Sequence, residues 1–260
     1  MSDLLRLAWG DFLTLFMVIV RVGMVFAVVP FFSAEVIPRR VTAVLALFLS
    51  MVLMPVVPRV PVGIDELDAL TLLVMVIQQL LVGIALGLAV NVIFAGVQIA
   101  GELMGFQMGF SIANVVDPMT GVTAPITSNL LYVTAFLLFF ALGGHHQLIK
   151  GLFESFAIVP ASGVLAREGF FTSTLAYASE MFVLGVKAAS PVVGVLLLVN
   201  VAFAVLARAV PQMNVFLMAF PITIAVGLVF LAVVVMMLPG LMEASLQKAQ
   251  AFMNAVLALY

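Results

Sequence analysis

No cysteine occurs in the 260 residues, which rules out disulfides, thiolate metal sites and cysteine nucleophiles. Charge is almost as scarce. Ten Lys and Arg stand against twelve Asp and Glu, so 8% of the chain is charged, where a soluble domain carries about 25%. A soluble surface cannot be tiled from that inventory. The net charge of −2 offers no basic patch to neutralise phosphates, so nucleic acid is not an expected partner. There is no Walker A sequence, no His-Glu-x-x-His and no credible Ser/His/Asp set. No removable targeting segment is expected either: the start is mixed (Asp3, Arg6, Asp11), and the apolar run behind it is too long for a signal core.

What fills the chain instead is hydrophobic residue, 65% of the total, with a mean hydropathy of +1.35. A spanning helix needs roughly 20 apolar residues. Six runs qualify as hydrophobic helices: Phe12 to Ala34, Val41 to Val57, Ala69 to Ala100, Asn129 to Gly143, Met181 to Ala207 and Met213 to Leu238. They are uneven. The second and fourth are short for a crossing, and the third is too long unless it bends at Gly83, Gly87 or Asn91 or runs past the membrane surface. The fold expected is an all-α integral membrane protein of about six hydrophobic helices, several short or broken by proline.

Pro38, Pro55, Pro58, Pro61, Pro118, Pro125, Pro160 and Pro211 read as helix ends, since each removes a donor and biases its predecessor away from helix. Pro30, Pro191 and Pro221 fall in or beside apolar runs, where they kink a helix and free a carbonyl. Two stretches are amphipathic. Gln147 to Ile158 sets Leu148, Leu152 and Phe156 on one face, with Lys150 and Glu154 four apart on another. At the C-terminus Met242, Leu246, Ala249, Met253, Val256 and Tyr260 form a stripe, read as a separate helix that packs on a neighbour or lies in the interface plane. Arg39, Arg40 and Arg208 favour cytoplasmic turns, and Asp65, Glu66 and Asp68 an external loop.

Three features invite chemistry. His145 and His146 are adjacent, so on a helix they point about 100° apart and share a metal poorly; no metal site is expected. Arg21 stands in mid-run, where a charge costs about 2.5–3.5 kcal/mol. Lys187 is similar, Glu180 lies two turns before it, and Glu102 sits inside the third run's continuation. Such groups face protein or water, and pairing inside a subunit interface is the plainer reading against ion conduction. The third feature is 101–121, GELMGFQMGFSIANVVDPMTG. Gly101, Gly105 and Gly109 make a stripe of small residues, broken by Asn114, Asp117 and Pro118. Phe106, Met108, Phe110 and Ile112 alternate, which on extended backbone places them on one side. One reading is a glycine-packed helix with an exposed turn; the other is a flexible apolar constriction.

Taken in order, these residues resemble the FliR family, the flagellar relatives of the SctT proteins of injectisomes. The likeness is carried by Pro30 with Ile37-Pro38-Arg39-Arg40, by Gln78-Gln79 leading to Gly83-Ile84-Ala85-Leu86-Gly87, and by Gly101-Glu102 running to Gln107-Met108-Gly109 and Val116-Asp117-Pro118. It continues through Gly144-His145-His146, Glu154-Ser155-Phe156 with Pro160, and Pro211-Gln212-Met213-Asn214-Val215-Phe216 with Phe220-Pro221. Departures are Gly143, where members often carry asparagine, and Ala219 and Thr223, where many carry glycine and lysine.

The resemblance implies a non-enzymatic role without cofactor. It implies a single export-gate domain over 1–260, in which about 1–180 is FliP-like and about 181–260 is a FliQ-like hairpin with the C-terminal helix. The partners implied are FliP-like and FliQ-like subunits in a hetero-oligomer, an FlhB-like protein, membrane lipid and unfolded export substrates, at the bacterial inner membrane in the flagellar basal body. The family's plug falls on Gly105, Phe106, Met108, Gly109, Phe110, Ile112, Asn114, Asp117 and Pro118. Arg21, Glu102, Glu180 and Lys187 are then assembly residues. A secondary transporter or proton-conducting subunit is the alternative, and would need polar ligands at mid-membrane on broken helices.

Overall fold

The computed structural model describes residues 2–33, 37–60, 68–110, 126–161, 168–210 and 215–260. Every regular element among them is helical. They are α1 (Ser2–Val28), α2 (Pro30–Ser33), α3 (Arg39–Leu53) with a 3₁₀ turn (Met54–Val56), α4 (Ala69–Gln107), α5 (Ile126–Ala141), α6 (Gly144–Ile158), α7 (Phe170–Ala178), α8 (Glu180–Ala209) and α9 (Val215–Leu257). Five stretches are long and apolar enough to cross a membrane: Trp9–Val28, Arg39–Val56, Ala69–Gln107, Phe170–Ala209 and Met218–Leu257. The pair α5 and α6, broken where Gly143 takes φ +74°, makes a sixth if counted as one span.

The chain is thus an all-α integral membrane protein, and each expected run is found as a helix. The bounds differ in instructive ways. The first run stops at Val28, and Pro30 opens a separate one-turn helix. The third does not bend into two: α4 is one helix of 39 residues, about 58 Å at about 1.5 Å per residue. The C-terminal stripe is no separate helix but the last turns of α9, which has 43 residues. Both lengths are about twice an apolar core of about 30 Å, so these helices extend beyond it unless steeply tilted.

The residues cluster into two compact units that do not follow chain order. The first holds 1–92, 143–178 and 246–260; the second holds 93–142 and 179–245. In the first unit α1 lies against α4 through glycine. A Cβ on Gly83 would stand 2.8 Å from the Arg21 carbonyl and from Met24 Cβ, and one on Gly87 would stand 2.6 Å from Val28 Cβ. Asn91 Nδ2 donates to the Val28 carbonyl at 2.8 Å, which serves one of the acceptors that the end of α1 leaves open. Beyond the 3₁₀ turn the chain returns to the start of α1, where Val60 N–H donates to Thr14 Oγ1 at 3.0 Å and Arg59 Nε lies 2.7 Å from Asp11 Oδ1. The amphipathic reading of α6 holds: Leu148, Leu152 and Phe156 are buried, and Lys150 Nζ lies 3.7 Å from Glu154 on the exposed side. The C-terminal stripe is core as well. A Cβ on Gly151 would meet Met253 Sδ at 3.0 Å, and Phe252 stacks on Tyr177 at 4.1 Å while the Tyr177 hydroxyl donates to Ala89 O at 2.8 Å.

In the second unit small residues again set the contacts. Gly96 faces Leu184 and the Met181 carbonyl, and Gly185 faces Ile99, with added Cβ distances of 2.7–3.0 Å. Phe94 packs against Tyr132 and Phe139 of α5, each at 5.5 Å between ring centroids. Pro191 sits inside α8 without ending it. The carbonyl it leaves without an amide is that of Lys187, four residues earlier, and Ser190 Oγ donates to that oxygen at 2.8 Å.

The glycine contacts are directly testable. Gly87→Ala is expected to cost about 1–3 kcal/mol through overpacking, read as a lower Tm of the detergent-solubilised chain. Gly194→Ala, whose added Cβ meets nothing within 4 Å, is expected to leave Tm unchanged or raise it. Equal Tm for the two variants would mean that the α1–α4 contact yields without strain.

Candidate functional site

Arg21 is the largest fully buried side chain of the described residues. Its guanidinium has no carboxylate in reach among them. Neutral acceptors take its donors instead: Nε donates to Gln79 Oε1 at 2.7 Å, Nη1 to Ser155 Oγ at 3.0 Å and Nη2 to the Val159 carbonyl at 2.8 Å. Cζ stands 4.1 Å from the centre of the Phe156 ring, a favourable cation–π distance. Ser155 passes its own proton to Leu152 O at 2.6 Å. Tyr260 lies close enough to feel the charge, but burial pushes its phenol up to about 12, against the pull of Arg21. It stays neutral at physiological pH and is no counter-ion.

All these groups belong to the first unit. Arg21 is therefore satisfied by its own chain, where the sequence suggested pairing across a subunit interface. Its three hydrogen-bond partners went unassigned from sequence. The available signal was that a guanidinium in an apolar run needs acceptors, and the pair Gln78-Gln79 interrupts an otherwise apolar stretch of α4; nothing comparable marks Ser155. The other intramembrane charges are not gathered with it. Glu102 and Lys187 are exposed, Glu180 is half-buried at the first turn of α8, and the buried stripe of α8 runs through Leu184, Gly185, Ala188, Ala189 and Val192 instead. His145 and His146 rings lie 4.0 Å apart, and no group of three candidate metal ligands occurs among the described residues.

The segment 105–118 is described only as far as Phe110; Ile112, Asn114, Asp117 and Pro118 lie outside the described residues. The first part is not extended. α4 continues to Gln107 and then closes on Gly109, whose φ is +86°. Gly109 N–H donates to Phe106 O and Phe110 N–H to Gly105 O, both at 3.0 Å, which is the paired bonding of a Schellman cap with glycine at its left-handed position. On helical backbone, residues two apart point to nearly opposite sides. Phe106 is accordingly 71% exposed while Met108 is fully buried, so the alternation does not put Phe106, Met108 and Phe110 on one face. Met108 fits a hollow on α9: a Cβ on Gly227 would overlap its side chain at 2.5–3.0 Å.

The start of α5 is held against α4. Thr127 Oγ1 donates to Gly101 O at 2.8 Å and Ser128 Oγ to Gln98 O at 3.2 Å, and Gly101 leaves no room for a Cβ against the Ser128 backbone. The end of α4 is thus capped, and the start of α5 is bonded to the same helix earlier along its length.

Replacing Arg21 by Leu strips Gln79 Oε1 and Val159 O of their donor, at about 1–3 kcal/mol for each buried acceptor left unsatisfied. The expected outcome is a fall in folded yield and in Tm of the chain itself, with Ser155→Ala milder. A normal melt for Arg21→Leu, with loss confined to an assembled complex, would return Arg21 to an interface role.

Comparison with known proteins gives the same frame. A family model described as "Bacterial export proteins, family 1" matches residues 12–249. Among curated relatives, the flagellar biosynthetic protein FliR of Bacillus subtilis (strain 168) is 34% identical over 221 residues, 84% of each chain. FliR of Escherichia coli (strain K12) is 34% identical over 225 residues, covering 86% of this chain and 85% of its own. FliR of Aquifex aeolicus (strain VF5) is 33% identical over 207 residues, covering 78% and 77%. With the match running through α1, the Arg21 network, the capped end of α4 and most of α9, the chain belongs to the FliR family of bacterial export proteins.

Proposed function

We propose that the chain is a subunit of the flagellar export gate in the bacterial inner membrane and has no catalytic role. It assembles with FliP-like and FliQ-like subunits and an FlhB-like protein around a path for unfolded export substrates. The observation that carries this reading is the family match along 12–249, joined to relatives of similar length named as flagellar biosynthetic proteins. In this reading about 1–180 plays the FliP-like part and about 181–260 the FliQ-like hairpin. Broad apolar exposure on α3, α8 and α9, from Phe48 and Leu198 to Met236 at 81%, supports contact with lipid and with apolar partners.

Residues 105–118 are the plug. A path for chains of any sequence has to be ion-tight at rest without binding its cargo, and apolar side chains achieve that by excluding water from a narrow bore. In this reading the residues of the segment have different tasks. Met108 anchors the root on α9, Gly109 turns the chain out of the helix, and Phe106, Phe110 and Ile112 supply movable bulk. Asn114, Asp117 and Pro118 end the segment. A proton-conducting reading gains nothing from the side chains: Glu102 and Lys187 are exposed rather than convergent, and Arg21 is consumed internally.

Purification from native membranes is expected to bring FliP- and FliQ-like proteins with the chain, and a lone monodisperse chain would overturn the assembly. Alanine at Phe106, Phe110 and Ile112 together, or deletion within 111–118, is expected to leave the complex intact and make membranes leak small ions. Met108→Ala should instead lower complex yield, at about 2–5 kcal/mol for a buried large-to-small change. A triple variant that assembles fully and stays electrically tight would remove the plug role.

A further inference from the structure

The first unit carries a half-open hollow that export does not account for. Its volume is about 650 Å³, within the range of about 300–1,000 Å³ for small-molecule sites. The walls are Gly23, Phe26 and Ala27 of α1, Phe32 of α2, and Ala43 and Ala46 of α3. Phe26 stacks on Phe32 at 4.1 Å. Thr42 also lines the cavity, but its hydroxyl donates to Phe32 O at 3.2 Å, so the wall is apolar in effect. Gly23 leaves part of the hollow open, since a Cβ there would meet nothing within 4 Å.

The rim has a different character. Arg39 lines the cavity, Arg40 follows it, and both are exposed. α3 begins at Arg39 with Pro38 as its N-cap and no side-chain acceptor there, so the positive end of the helix dipole adds to two guanidiniums. Over residues 35–40 the sequence sets one acid, Glu35, against them; it lies outside the described residues. The apolar stretch Arg39–Val56 starts at this rim, and Trp9–Val28 ends beside Phe26 and Ala27. The hollow therefore lies at the ends of two candidate spans, the place where a crossing helix would meet the headgroups.

An apolar hollow under a cationic rim at that depth matches one class of molecule by charge and by polarity gradient. We propose that the cavity binds a single anionic phospholipid, its phosphate on Arg39 and Arg40 and an acyl chain against Gly23, Phe26, Ala43 and Ala46. Arginine suits the phosphate because its planar fork bonds two oxygens at once, and basic pockets between membrane helices recurrently hold such headgroups. The site is built from this chain's residues alone, and only the material for its test rests on the proposed assembly.

The test uses the complex extracted from native membranes, stripped by detergent exchange and then incubated with mixed micelles of phosphatidylcholine or phosphatidylglycerol. Lipid retained per chain is counted by native mass spectrometry. The parent is expected to retain phosphatidylglycerol over phosphatidylcholine by roughly tenfold or more. Arg39→Gln with Arg40→Gln is expected to bring the two to parity. Gly23→Leu, which fills the hollow and keeps both arginines, is expected to lose the retained lipid by a similar factor at unchanged complex yield. Should Gly23→Leu fail to accumulate, the double arginine variant decides alone. Equal retention by the parent, a preference that survives the double variant, or displacement by inorganic phosphate would overturn the proposal. So would a photo-crosslinker at Ala43 that captures a partner polypeptide instead of lipid.

Discussion

A guanidinium surrounded by apolar helices exists only if the fold supplies acceptors, because no water replaces them there. Arg21 receives them from Gln79, Ser155 and Val159, which are 58, 134 and 138 residues away in sequence. Those separations make one side chain a condition on three elements. α4 must lie against α1 at one register, and α6 must end with the Val159 carbonyl turned inward. Gly83 and Gly87 permit the first by removing side chains where α1 crosses. The second follows from the helix stopping at Ile158, which frees Val159 O from the helical ladder. Using neutral acceptors in place of a carboxylate avoids burying a second charge, whose desolvation commonly exceeds the pairing gain.

The same economy governs several other polar residues, though the buried Gln78 amide is left without a partner. Asn91 serves a carbonyl at the end of α1, Ser190 the carbonyl opened by Pro191, Thr127 and Ser128 two carbonyls on α4, and Tyr177 the carbonyl of Ala89. None needs a ligand to explain it. In a chain with so few polar groups, most internal ones complete backbone hydrogen bonding, and this is why polar residues alone point so poorly to function here.

That also explains what could be read from sequence. Apolar run length located every long helix, because hydropathy and the membrane constraint are one-dimensional. The face of Leu148, Leu152 and Phe156 was legible because period-3.6 spacing maps directly onto one side of a helix. The Arg21 cost was legible, its acceptors were not: a side-chain contact across 134 residues leaves no local pattern. The alternation of Phe106, Met108 and Phe110 misled for a related reason. Three apolar positions fit a period of two as well as a helix that ends among them, and only the capping bonds of Gly109 decide it. Gly227 left no signal, since a glycine that seats Met108 looks like any glycine in an apolar run.

The capped end of α4 shows how a long helix can stop without leaving its last carbonyls open. Helix ends fray when their last carbonyls are open; here Gly105 O and Phe106 O are bonded, Met108 is seated on α9, and Thr127 and Ser128 at the start of α5 bond Gly101 O and Gln98 O. Two positions apart on one helix, Met108 is seated and Phe106 is exposed, because helical spacing turns them to nearly opposite sides. The helix end is therefore held by backbone bonds and by one buried side chain, and the exposed ring of Phe106 takes no part in holding it.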